Sequence, residues 1–173
     1  MTHAMNPALP PSPLLHQSLS ALLRELVHGA SADACWILNR GDIGLLRSLD
    51  ALSASAASAP APAGGASIAA HVDHLRYGFE LLNRWSRGEN PFADADYSAS
   101  WHRGTVSAEE WVARREALAA EIAEWERALG EPRELAEIEL TGVLASVVHL
   151  AYHVGAIRQI DKALQGPRAE AGE

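Results

Sequence analysis

Apolar residues return at three- and four-residue intervals in four long stretches of this chain, and no stretch shows a convincing period of two. That periodicity gives each stretch one buried helical stripe and leaves helix-on-helix packing as the way to cover it. In residues 14–28 the stripe is Leu15, Leu19, Leu22, Leu23 and Leu26, with Pro13 suited to the first turn and Gly29 as the stop. Ser67 is the expected N-cap of a second helix, which presents Ala70, His74, Gly78, Leu81, Leu82 and Trp85 inward and ends near Gly88. Ser107 and Glu110 have the spacing of a capping box, after which Trp111, Leu118, Ile122, Trp125 and Leu129 carry a third helix to Gly130, with Pro132 beyond it. Thr141 is the expected cap of a fourth helix running to about Leu164, residues 135–140 being a short connection and Gly166-Pro167 the stop. The predicted fold class is all-α, a four-helix bundle.

The remaining segments fit around those helices. At 173 residues the chain suits one domain spanning 1–173 and is short for two. Residues 1–12, with Pro7, Pro10 and Pro11, are expected to be a loose lead-in, and 167–173 a frayed tail. Residues 31–44 give conflicting indications and receive no assignment, whereas 43–52 repeat leucines at helical spacing. Residues 53–66, rich in Ala, Ser, Pro and Gly, predict a flexible surface connection. The aromatic loop 89–105 contains Trp101, too large to leave fully wet, and is expected to cover something.

Charge and cysteine usage narrow the function classes. Twenty-two acidic residues against fourteen basic ones give a net charge of -8, which repels phosphate backbones and anionic lipid, so no nucleic-acid partner is expected. The single cysteine, Cys35, has no internal partner for a disulfide, which suits a reducing cytoplasm. Neither an export leader nor a membrane-spanning run is evident, and the predicted location is cytoplasmic.

The eight histidines are grouped: His71 and His74 lie three apart on the second helix, and His149 and His153 four apart on the fourth. Both spacings put a pair of imidazoles on one helical face, about one turn apart, where they converge on a common point. The face of His149 and His153 also carries Gly142, Ala145, Ser146 and Ala156, small residues that leave room for an ion. The competing reading is four structural core histidines, yet each ring nitrogen buried without a partner costs about 1–3 kcal/mol. One divalent metal ion answers that cost. His3, His16, His28 and His102 are ungrouped and are expected at the surface or terminus.

Two short stretches resemble the DinB-like four-helix bundles, a group that includes thiol-dependent transferases and isomerases. Ser67 followed two turns later by His74-Leu75 is similar to that family's ligand-bearing helix, and His149, His153, Gly155 and Ile157 are similar to its last helix. Tyr152 stands where a first histidine of a His-His pair is frequent, and Ala156 where Gln is common. The resemblance implies a DinB-type bundle with an extra segment between the first two long helices, and a metal held by His74, His149 and His153. His71 is then a candidate general base, fourth ligand or hydrogen-bond partner behind a ligand, while Asp73 and Glu80 are expected to be solvated.

Three imidazoles leave coordination positions open, as a catalytic site requires. Zinc or nickel is the expected ion, with manganese or iron also compatible with nitrogen ligands. The reading favoured is a metal-dependent enzyme that activates a thiol or water, with thiol S-transfer or related transferase and isomerase chemistry on a small molecule. Its alternatives are a metal-assisted hydrolase and a noncatalytic, dimeric metal-binding stress protein. A homodimer is expected, because five tryptophans and leucine-rich helices in so small a chain leave an apolar face to cover.

Overall fold

The computed structural model describes residues 13–31 and 33–168. Its helices are α1 (Pro13–His28), α2 (Gly44–Asp50), α3 (Ala54–Ser58), α4 (Ile68–Ser86), α5 (Ala108–Gly130) and α6 (Glu137–Ile160), with no strand among the described residues. The four long helices coincide with the four periodic stretches. α4 packs on α5 and α6, and α1 packs on the same two helices, so a common core forms between them. Leu23, Leu26, Leu75, Leu118, Ile122, Trp125, Leu150 and Ile157 fill that core and are almost wholly withdrawn from solvent. The lead-in at 1–12, His3 within it, and the tail beyond Arg168 lie outside the described residues.

Two of the expected caps form. Ser67 accepts a hydrogen bond from the Ala70 N–H at 3.2 Å. Ser107 and Glu110 exchange both bonds of the capping box, at 3.2 and 2.7 Å. The start of α6 differs from the expectation: the helix begins at Glu137, where the Glu139 carboxylate accepts from the Ala136 N–H at 2.8 Å. Thr141 is already inside the helix, its hydroxyl donating to the Glu137 carbonyl at 2.9 Å. A carboxylate three residues into the helix serves the first turn as well as a capping hydroxyl does. The far end comes earlier than predicted, at Ile160, and a separate 3₁₀ turn occupies Lys162–Leu164.

Within residues 53–66, expected as a connection, a short helix forms and packs. Ser53 caps α3 by accepting from Ala56, and Ala57 is fully buried. Ser58 donates to Ala54 and accepts from the Val106 N–H at 3.0 Å, tying the segment to the start of α5. Small side chains there permit a close approach to α4 and α5, a form of burial that hydropathy alone does not reveal.

The unassigned stretch after α1 is irregular chain held by one buried carboxylate. Glu25 accepts from the N–H groups of Trp36, Ile37 and Leu38, at 2.6 to 2.9 Å, which satisfies the charge and the turn together. Its entry and exit cross at two glycines with positive φ, Gly29 and Gly44. A Cβ on Gly29 would lie 2.1 Å from the Asp42 carbonyl oxygen and one on Gly44 2.3 Å from the Gly29 nitrogen, so no larger residue fits either position.

α6 is long and apolar enough, by length and composition, to cross a membrane, contrary to the expectation that no such run exists. Residues 140–157 carry no Asp, Glu, Lys or Arg. In this fold α6 turns Val143, Val147, Leu150, Val154 and Ile157 into the core.

Candidate metal centre

α4 and α6 pack against each other with their histidine faces opposed. His74 and His153 are buried, His71 is half-buried and His149 is exposed. The Nε2 of His149 lies 3.3 Å from the Nε2 of His74 and 2.9 Å from the Nε2 of His153. One nitrogen from each of these three rings lies within 4.8 Å of the other two. Nitrogens bound at about 2.0–2.1 Å to one tetrahedral ion stand roughly 3.3 Å apart, a spacing that the two separations from His149 approach.

The protonation chemistry fits as well. Desolvation pushes the pKa of His71, His74 and His149 below the ordinary imidazole value, in the otherwise exposed His149 through the ring edge packed against His74 and His153. His153 is pushed down to about 3, by burial first and then by His149, His71 and His74. All four are therefore neutral at pH 7, with lone pairs to offer. His149 Nε2 faces two other Nε2 atoms, yet a neutral ring nitrogen has either one proton or one lone pair. Mutual hydrogen bonding thus satisfies this trio only partly, whereas a cation accepts from all three.

His71 occupies a different position. Its Nδ1 shares a 2.8 Å hydrogen bond with the Nδ1 of His153, the ring atom opposite the nitrogen that faces His149. A partner on the distal nitrogen fixes the tautomer and orientation of a ligating imidazole. His74 has no such partner: its Nδ1 is buried without a hydrogen bond.

The loop 89–105 covers the cluster. Trp101 stacks on His74 at 4.5 Å with 25° between planes and meets His71 edge-on at 5.4 Å. Its position is fixed by Arg103, which pairs with Asp73 at 2.7 Å, and by Arg114, which donates to the Arg103 carbonyl at 2.7 Å. Asp73 is consequently buried, not solvated as expected, and it also receives Arg76. Burial of a carboxylate follows from two guanidinium partners, one of them 30 residues away and invisible to helical periodicity. Glu80 is half-buried and bonded to Arg76 at 2.7 Å.

Two of the ungrouped histidines behave differently from each other. His16 is buried, contrary to expectation, and its Nδ1–H donates to the Leu129 carbonyl at 2.9 Å, fastening α1 to the end of α5. His28 is at the surface beside Glu126. His102 is exposed.

Beside His149 opens a cavity of about 280 Å³ between α4, α6 and the loop. Gly142 on its α6 side admits Trp85 of α4, since a Cβ there would stand 2.7 Å from the indole ring. Phe92 and Tyr97 line the cavity too, two residues that sequence reasoning left unremarked within an otherwise noted aromatic loop.

An all-helical chain with three convergent imidazoles on two facing helices and an adjoining cavity is a candidate metal-binding bundle. Residues 44–156 match the family model of the DinB superfamily, more than half of the chain, and the protein belongs to that superfamily. The matched region begins at α2 and contains His71, His74, His149 and His153. No curated protein and no solved structure matches the chain.

Proposed function

We propose that His74, His149 and His153 hold one divalent metal ion and that the protein is a metal-dependent enzyme acting on a small molecule. The observation that carries this reading is the convergence of three neutral imidazole nitrogens next to a cavity that His149 itself lines. A closed structural site would have its ligands sealed, whereas His149 is exposed. When bound, the ion supplies the Lewis acidity that makes a thiol or a water nucleophilic near neutral pH. Zinc or nickel suits the donor set best, with manganese or iron as weaker fits.

The chain's own residues supply orientation and exclusion of water. His71 holds the ring of His153, and Trp101 shields the buried face of His74. The reaction class we favour is transfer of a low-molecular-weight thiol to an electrophile, or a related isomerisation. Cys35, exposed and on the segment held by Glu25, is not part of α4 or α6 and is dispensable on this reading. We further read the helices as a four-helix DinB-type bundle in which residues 31–43, ahead of the matched region, are an added segment, and the protein as dimeric and cytoplasmic.

The test is a metal analysis of the purified protein followed by turnover of a panel of electrophiles, with and without added thiol. Cys35→Ser should retain turnover, and His149→Ala should lose metal and turnover together. Turnover that needs metal but no thiol indicates the hydrolase instead. An inactive Cys35→Ser beside an unimpaired His149→Ala overturns the metal-centred reading.

A further inference from the structure

The cavity beside His149 has a chemical character of its own. Leu75, Phe79 and Leu82 wall it from α4, while Phe92 and Tyr97 roof it from the loop. Among the described residues, no Asp, Glu, Lys or Arg side chain lines it. Among the few polar groups, Ser146 is already engaged, donating to the Val143 carbonyl at 2.7 Å and accepting from the Trp125 indole at 3.1 Å. A charged ligand group placed there loses water and meets no opposite charge, whereas an apolar group gains from the same transfer. Three aromatic rings on the walls and roof favour a flat partner. Phe92 and Tyr97 are 41% and 46% exposed, so the roof is open to solvent at its edge and offers a way in.

We infer that this cavity binds the uncharged, apolar part of the substrate, a compact aryl or branched alkyl group, with its reactive end toward His149. As a substrate subsite it rests on the metal-centre reading; as a binding site it stands on the lining alone. The ion would determine the reaction, and Phe79, Phe92 and Tyr97 would select what reacts.

Fluorine NMR on the full chain tests this with three probes of one ring and different charge: para-fluorobenzyl alcohol, para-fluorobenzoate and para-fluorobenzylamine. The chelator-treated protein should bind the alcohol at least about tenfold more tightly than either ion. Ala145 faces the cavity from α6, and Ala145→Phe should fill it, weakening the alcohol by about tenfold or more. Phe92→Ala, at an exposed position, should also weaken the alcohol and decides the matter if Ala145→Phe fails to fold. Equal binding of the charged probes, or alcohol binding indifferent to both substitutions, overturns the inference. Zinc retained by the three histidines with no alcohol bound removes the cavity inference alone; alcohol bound with no zinc affinity removes the metal-centre reading alone.

Discussion

His71 and His153 meet through their Nδ1 atoms, which leaves the Nε2 of His153 directed at His149. Removing His71 therefore takes away an orienting bond, and removing His153 takes away a donor. His71→Ala should weaken zinc by about 10- to 100-fold, and His153→Ala by more, as measured by competition against a chromophoric chelator. A larger loss in His71→Ala would make His71 itself a ligand. A second expectation concerns pH. The unfolded chain protonates His153 near its ordinary value of 6.5, the folded chain only at about 3. The unfolded state thus binds the extra proton between those values, and the stability held above pH 6.5 is lost as pH falls toward 3. Thermal melts of chelator-treated protein should show a midpoint that falls on acidification through this window, with a shallower fall in His153→Asn. An unchanged slope would mean that His153 titrates normally. The pairing within each helix was legible because a helix fixes spacing locally. The meeting of His71 with His153 was not, since it depends on the rotation of α4 against α6, and the burial of His16 depends on a carbonyl 113 residues away.

At the scale of elements, the loop 89–105 is fastened where it covers the histidines. The Arg103–Asp73 pair joins a half-exposed guanidinium to a buried carboxylate, and Trp101 lies two residues before that arginine. Arg103→Ala leaves Asp73 with Arg76 alone, at 3.4 Å, and should cost about 1 kcal/mol of stability, the discount reflecting Arg103's exposure. Arg114 donates to backbone carbonyls at Ala69 and residue 103 and remains as a second tether. Hydrogen exchange should therefore quicken at residues 99–103 while the amides of α4 and α5 keep their protection; uniform loss across α4 would show a general destabilisation instead. Periodicity and caps made α1, α4 and α5 readable from the sequence. α3 was missed because Ala and Ser score as linker composition, although Ala57 is buried through close helix approach. The first turn of α6 was missed because Thr141 resembles a cap more than Ala136 does, and the capping group was the Glu139 side chain.

Among the described residues, one face of α6 has no partner. Leu144, Val148 and Tyr152 stand four residues apart on α6, with exposures of 43%, 67% and 70%, and Ile138 near the start of the same helix is 72% exposed. Core-facing Val147, Leu150 and Val154 alternate with them around the helix, so α6 is apolar on both sides. An uncharged row of this kind on a chain of net charge -8 suits a second copy better than a nucleic acid or an anionic surface. We therefore propose a homodimer in which two α6 helices cross about a twofold axis, each row covering the other. Mutual repulsion of the two acidic chains opposes assembly, so added salt should strengthen the dimer, the reverse of an interface made of ion pairs. Sedimentation at micromolar concentration should give a species of twice 18.5 kDa. Val148→Glu with Tyr152→Glu should return it to 18.5 kDa with helical circular dichroism intact, because neither residue is buried within the protomer. A wild-type protein that sediments only as the 18.5 kDa species refutes this assembly, and a dimer indifferent to both glutamates moves the interface to another face.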